Sequence, residues 1–242
     1  MKLTKFNVVS MCLVILVLFI MTGRIFDMPI MSDYSWIFVF PLFAYLYYGL
    51  TKEHNHFFGF FLIGFSIVEM LKIVFSGNEL IGVYGANYLI IATYLSLIIF
   101  LVKDLEIKKI FKDFKLPMIV LVVFNVYIIY ALNEMILEDP KVETSSLEFV
   151  TNVIYNVFIQ LVLSLALIHY LYHQTKQSLL LFLASVCIVF SEMVQVAYLF
   201  ISSEQILEII YSMLMGLGFY FLYVYIKIRH FDSYKTESPA IV

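Results

Sequence analysis

Charged residues are scarce in this chain: Asp, Glu, Lys and Arg make up 14% of its 242 residues, against about 25% in an ordinary soluble domain. Hydrophobic residues reach 63%, and the mean hydropathy is +0.96. A water-soluble fold is therefore excluded. The net charge of −3 lacks the basic excess of nucleic-acid-binding proteins, so we expect no nucleic-acid partner. The two cysteines, Cys12 and Cys187, lie in apolar runs, and we interpret them as buried thiols.

Long apolar runs dominate the rest of the chain. A membrane-crossing helix needs about 20 mainly apolar residues, and eight segments come close to that length or meet it. They lie near 6–22, 35–50, 57–75, 80–102, 116–133, 149–171, 178–201 and 205–227. We therefore predict an all-α, polytopic membrane helix bundle, with residues 1–242 as a single integral membrane domain. Its longer connections are the charged segments 103–115 and 134–148.

The positive charges predict how the helices are oriented. Cytoplasmic loops of membrane proteins retain Lys and Arg. With eight crossings and a cytoplasmic N-terminus, all of the 15 Lys and Arg residues except Arg24, Lys72 and Lys141 lie on the inner side. We therefore predict that both termini are cytoplasmic, in a multi-pass protein of the bacterial inner (cytoplasmic) membrane.

Two glutamates, Glu69 and Glu192, each lie within an apolar run long enough to cross a bilayer. An acid at membrane depth costs several kcal/mol unless it is protonated, paired or facing water, so it indicates a functional site. Counted from the inner helix ends, the two residues differ by about 3 Å in depth. We therefore expect them to face one another, with one carboxyl protonated and the other ionised, as a catalytic acid pair. The alternative is that each carboxyl bonds a neighbouring helix.

A stripe of polar side chains marks the sixth predicted helix. Asn152, Asn156, Gln160 and Ser164 recur at intervals of four residues, which places them along one slowly turning helix face. They either line a substrate cavity or hold helices together. The same choice applies to a few polar residues of the fourth and eighth helices, namely Asn87, Tyr94 and Tyr211. We predict that all of these except Ser164 bind substrate.

Histidines are the only candidate metal ligands with a suggestive spacing. His169 and His173 have the four-residue interval of a helical two-ligand site, but no third ligand follows at a supporting spacing. We therefore predict no metal site and no cofactor.

Short sequence words resemble the YhhN-like lysoplasmalogenase family of eight-helix membrane proteins. The segment 38–42, Phe-Val-Phe-Pro-Leu, is similar to that family's Lys-Pro-Leu word, with Phe40 in place of the lysine. Residues 64–69 and 189–192 are similar to the two family segments that end in aspartate, and here they end in Glu69 and Glu192. Tyr211 lies near the family's tyrosine. The fourth-helix His-x-x-Tyr pattern reads Thr-Tyr-Leu-Ser at 93–96, and the glutamine expected after Tyr211 is missing. The chain thus resembles a divergent member.

The resemblance implies a function. The substrate would be a lysoplasmalogen, a lysophospholipid with a vinyl-ether link, and water would cleave that link to give a fatty aldehyde and a glycerophospho-alcohol. Glu69 and Glu192 would share the roles of proton donor and stabilising anion, as the two carboxyls of glycosidases do. The polar stripe and the tyrosines would hold the glycerophosphate end.

Two other functions fit the same residues. In a small proton- or cation-coupled transporter, Glu69 and Glu192 would bind the coupling ion, and a faint repeat four helices apart, Glu-Met at 69–70 and 192–193, would permit alternating access. In a non-catalytic membrane scaffold, the acids would only fix helix pairing. The sequence does not determine the oligomeric state.

Overall fold

The fold is all-α, as predicted. The computed structural model describes residues 2–50, 54–75, 85–138 and 146–235. In these residues the helices are α1 (Lys2–Ile25), α2 (Pro29–Leu50), α3 (His56–Val74), α4 (Ala86–Val102), α5 (Ile107–Asp113), α6 (Lys115–Leu137), α7 (Leu147–His173), α8 (Lys176–Phe200) and α9 (Gln205–Lys235). The eight predicted helices correspond to α1–α4 and α6–α9. The predicted start of the fourth helix, at residue 80, lies outside the described residues.

Six described helices are long and apolar enough to cross a membrane: α1, α3, α6, α7, α8 and α9. The number rises to seven if α4 and α5 form one bent span. Helix α2 is not among them, since Asp33, Pro41 and several tyrosines make it less apolar. The chain is thus a multi-pass helical membrane protein. Eight crossings and cytoplasmic termini stay predictions, as does the bacterial inner membrane.

The membrane environment also explains the surface of α6. Large apolar side chains of this helix are exposed in the part of the chain that the structure describes, and Val123 and Tyr127 are 65% and 66% exposed. A monomeric soluble protein rarely exposes so much contiguous apolar surface. Lipid hydrocarbon is the medium in which such a face is stable.

Helix α5 was not predicted. The sequence analysis treated 103–115 as a charged connection, yet Ile107–Asp113 is helical and is bent by 77° from α4. Ile110 on its inner face is buried, while Ile107 and Phe111 are exposed beside the lysines. Its apolar residues recur at helical spacing on a segment too short to cross a bilayer, the pattern of a helix that lies along a membrane surface.

The chain divides into two compact units, whose boundaries fall within α4 and α9. The first contains the described residues up to Ser96 and from Phe219 onward, and the second is Leu97–Gly218. The single-domain organisation stays a prediction. The core of the first unit is aromatic: Phe40 stacks on Phe65 with ring centroids 5.2 Å apart, and it meets Phe219 edge-on at 4.8 Å.

The second unit is built on the α7–α8 hairpin, with α6 beside α7. The link between α7 and α8 is short, and the helix end on each side of it is capped. Gln174 adopts a left-handed conformation (φ 49°) and its N–H bonds Tyr170 O, which closes α7. Thr175 and Ser178 then form a capping box that starts α8. Such caps satisfy backbone groups that a helix end leaves open, and they hold α7 and α8 antiparallel.

Candidate functional site

Glu192 is a buried acid on the side of α8 that faces α7. It is 7% exposed and lies about 12 Å from the Phe200 end of the helix and about 24 Å from the Lys176 end, at 1.5 Å per residue. The Tyr155 hydroxyl of α7 donates a hydrogen bond to Glu192 Oε2 over 2.5 Å. Tyr155 lies about 12 Å from the Leu147 end of α7, so the two antiparallel helices bring these groups to the same level.

The residue before Glu192 fixes α8 against α9. Ser191 is fully buried, and its hydroxyl donates to the backbone oxygen of Tyr211 over 2.6 Å. The Tyr211 ring packs against Tyr198 with centroids 5.9 Å apart. Tyr211 therefore lies beside the segment that carries Glu192, as a substrate-binding role requires, but the contact that the structure shows is a helix-packing one.

Amide and hydroxyl side chains run between α6 and α7. Asn125 Nδ2 donates to Ser164 Oγ over 2.7 Å, and Asn156 Nδ2 donates to Asn133 Oδ1 over 3.4 Å. Both contacts fit a single alignment of the antiparallel helices α6 and α7, since Asn125 and Asn133 are two turns apart and so are Ser164 and Asn156. The stripe on α7 thus faces inward as predicted, and α6 supplies its partners.

Gln160 lies between these two contacts. It is 1% exposed, and its Nε2 approaches Met193 Sδ, on the residue after Glu192, at 3.8 Å. Of the predicted substrate-binding residues, Asn156, Gln160 and Tyr211 therefore share the second unit with Glu192 and lie beside the segment that carries it. Asn152 is half-buried, one turn before Asn156 on the same helix.

An apolar cluster closes the end of the second unit beyond Glu192. Leu132, Ile136 and Val196 are buried there. Phe149, at the start of α7, and Phe200, at the end of α8, pack against them. The carboxyl of Glu192 therefore lies between apolar side chains on one side and the amides of α6 and α7 on the other.

Glu69 has a different environment. It lies in the first unit, about 7 Å from the Val74 end of α3, and its side chain is 21% exposed. Its Oε1 forms an ion pair with Lys72 Nζ at 3.2 Å, one turn later on the same helix. Glu69 is thus a half-buried, charge-paired group near a helix end. Its predicted pairing with Glu192 stays a prediction.

The remaining predicted substrate-binding residues, Asn87 and Tyr94, also belong to the first unit. Asn87 is half-buried near the start of α4. Tyr94 is fully buried and meets the ring of Phe65 edge-on at 5.5 Å. Their role in binding stays a prediction.

No family model, no curated protein and no solved structure matches the chain. The geometry therefore carries the functional argument. Within the described residues, no group of three or more His, Cys, Asp or Glu side chains lies close enough to hold a metal ion. The rings of His169 and His173 pack against each other at a tilt of 51°, with centroids 4.4 Å apart.

Sequence reasoning missed three residues of the site: Tyr155, Asn125 and Asn133. Tyr155 follows Asn152 by three residues, so it shares the polar side of α7, but it falls outside the four-residue interval that defined the stripe. Asn125 and Asn133 are eight residues apart in α6, which puts them near the same helix face. That spacing was the available signal.

Proposed function

We propose that this protein is a membrane-embedded hydrolase of the lysoplasmalogenase type, in which Glu192 protonates the vinyl ether of a lysophospholipid. The observation that carries the proposal is the carboxyl of Glu192, buried at membrane depth and bonded by the Tyr155 hydroxyl at 2.5 Å. Acids in such positions are expensive and usually functional. The residues around Glu192 resemble a segment of the lysoplasmalogenase family, and this resemblance suggests which reaction is catalysed.

The chemistry needs a proton donor and water. Transfer of a proton from the Glu192 carboxyl to the outer alkene carbon gives an oxocarbenium-like ion and leaves a carboxylate. Water then adds to the carbon that carries the ether oxygen, and the carboxylate takes up the proton that the water loses. The resulting hemiacetal then breaks its C–O bond: Glu192 gives a proton to the leaving glycerol oxygen and takes up the hemiacetal's hydroxyl proton, which releases the glycerophospho-alcohol and the aldehyde. One carboxyl thus acts first as acid and then as base, as in retaining glycosidases.

Tyr155 has a defined part in this sequence. Negative charge develops on Glu192 as its proton leaves, and the Tyr155 hydroxyl already points at Oε2. A donor that is in place where charge develops lowers the barrier without reorganisation. A hydrogen bond to a charged group contributes about 1.5–3 kcal/mol. Tyr155 is therefore a catalytic residue that acts on Glu192 as the acid is converted to its anion.

The two units differ in their suitability for this chemistry. Phe40, where the resemblance would put a lysine, is buried among the aromatic rings of the first unit. Glu69 is already paired with Lys72 in that unit. The second unit has a buried acid with a hydroxyl donor and the amides of α6 and α7 beside it. We therefore assign the proton-donor role to Glu192.

The test is aldehyde release by purified protein in detergent. A lysoplasmalogen and its saturated ether analogue are incubated with wild type, with Glu192→Gln, and with Glu134→Gln, a matched change at an exposed acid of α6. Aldehyde from the vinyl ether alone, lost in Glu192→Gln and kept in Glu134→Gln, supports the proposal. Aldehyde production that persists in Glu192→Gln refutes the role of this acid.

A second candidate is a non-catalytic role in helix pairing. The bonds from Asn125 to Ser164 and from Asn156 to Asn133 are the kind of interhelical contact that holds membrane helices together. This function predicts that Glu192→Gln lowers stability and that no aldehyde forms even with folded wild-type protein. The same samples decide between the two.

A further inference from the structure

A buried acceptor oxygen at the centre of α7 lacks a donor within the described residues. Among the described residues, Gln160 Oε1 is fully covered yet has no hydrogen-bond partner. Its Nε2 makes only the long contact with Met193 Sδ. Gln160 lies about 20 Å from either end of α7, at 1.5 Å per residue. In a helix that crosses the bilayer, this is the level of the midplane, where lipid offers no donor.

A second acceptor of the same kind lies on α6. Asn125 Oδ1 is also covered and is without a partner in the part of the chain that the structure describes. Its Nδ2 bonds Ser164 Oγ, one helical turn after Gln160. Both oxygens therefore belong to the same strip between α6 and α7, within about one turn of each other along the helices.

Two unpaired amide oxygens in such a place require a donor. Burying an amide without a partner costs roughly 1–3 kcal/mol by mutational measures, and polar groups of this sort are normally satisfied by internal water, which binds two to four of them. Gln160 Oε1 and Asn125 Oδ1 can each accept one O–H of a water, and Ser164 Oγ offers a further contact. We propose that water binds between α6 and α7 on Gln160 and Asn125.

The position of this water gives it a role. The proposed water would approach Glu192 along the amides of α6 and α7, since the cluster of Leu132, Ile136 and Val196 is apolar. Gln160 lies about 7 Å deeper along α7 than Tyr155, the partner of Glu192. The amide strip thus holds the water that hydrolysis consumes. This role rests on the proposed hydrolase, whereas the water site itself does not.

Radiolytic labelling in H₂¹⁸O tests the water site without any substrate. Hydroxyl radicals formed at bound water oxidise adjacent methionine sulfur, and Met193 Sδ touches Gln160. We expect ¹⁸O-sulfoxide at Met193 in wild-type protein in nanodiscs, although it lies inside an apolar helix bundle. Met213, exposed on the apolar surface of α9, is the internal control, because lipid around it carries no water.

The variants are Gln160→Leu with Asn125→Leu, and Asn87→Leu as a matched amide change in the first unit. We expect the double variant to lose labelling at Met193 and Asn87→Leu to keep it. A wild-type Met193 that stays as unlabelled as Met213 overturns the proposal, and so does labelling that survives in the double variant. Aldehyde release, measured separately, decides the hydrolase: labelled protein that forms no aldehyde refutes the proposed function but not the water site.

Discussion

Removal of the Tyr155 hydroxyl should lower the free energy of unfolding, and the size of this loss should depend on whether Glu192 is present. The bond is short, at 2.5 Å, and its acceptor is 7% exposed. A hydrogen bond to a charged group contributes about 1.5–3 kcal/mol in soluble proteins, whereas side-chain bonds in membrane bundles average about 0.6 kcal/mol with a maximum near 1.7. We therefore expect a coupling free energy of about 1–2 kcal/mol between the two side chains.

The assay is a double-mutant cycle. The free energy of unfolding is measured in mixed micelles for wild type, Tyr155→Phe, Glu192→Leu and the double variant, since leucine removes the acceptor whereas glutamine would keep one. Tyr127→Phe, at an exposed ring of α6, replaces Tyr155→Phe in a control cycle that should be additive. Additivity within about 0.3–0.5 kcal/mol in the Tyr155 cycle would refute the bond as drawn.

The same variant separates catalysis from packing. If Tyr155 stabilises the anion that forms as Glu192 gives up its proton, Tyr155→Phe lowers kcat by about 5- to 15-fold. Only the gain of the bond on charging counts, about 1–1.5 kcal/mol, and 1.36 kcal/mol corresponds to a factor of ten. A change in KM with unaltered kcat would instead mean that the hydroxyl only binds substrate. Unchanged kcat and KM would remove Tyr155 from the mechanism.

Three further outcomes test the fold. Gly64→Ala should destabilise the protein by about 1–3 kcal/mol, because the added carbon would collide with the Thr93 hydroxyl. Both this variant and a control, Gly49→Ala, are measured by thermal unfolding. Position 49 has room for the added carbon. Gln174→Gly should raise the free energy of unfolding by up to about 1 kcal/mol, because the left-handed backbone at φ 49° disfavours a side chain, and a loss of stability in urea-and-micelle titrations would contradict this. A single-tryptophan variant with Trp36→Phe and Phe111→Trp reports on α5. Its fluorescence should be quenched more by lipids brominated near the headgroup than by lipids brominated deep in the acyl chain. Fluorescence that neither lipid quenches would place α5 away from the membrane surface.

The sequence predicted the helices well because each long apolar run has essentially one stable form in a bilayer, where all backbone groups must be bonded internally. The miss at α5 has the opposite cause. Its seven residues mix lysines with Ile107, Ile110 and Phe111, too short a run for the length criterion that identified the others. Helix α9 also continues to Lys235, past the predicted end near 227, since a helix can extend beyond the apolar region.

The candidate site was only half predictable. Glu192 was identified because an acid is rare in an apolar run, and the stripe on α7 because its period is helical. Tyr155 is one of 18 tyrosines, and it could not be ranked above the others without knowing which helix faces α8. The same holds for Asn125 and Asn133, whose partners on α7 depend on the register of two helices. Glu69 satisfied the same sequence criterion as Glu192, but only the structure shows its ion pair with Lys72.

Hydrolysis of a lysoplasmalogen in D₂O tests the central claim, proton transfer from Glu192 to the alkene carbon, most directly. The aldehyde is reduced at once with borohydride, so that later exchange cannot add label, and the alcohol is analysed by mass spectrometry. The account predicts one deuterium on the carbon next to the former carbonyl, and no product from Glu192→Gln. Product without that deuterium, undiminished product from Glu192→Gln, or no product from folded wild-type protein would contradict it.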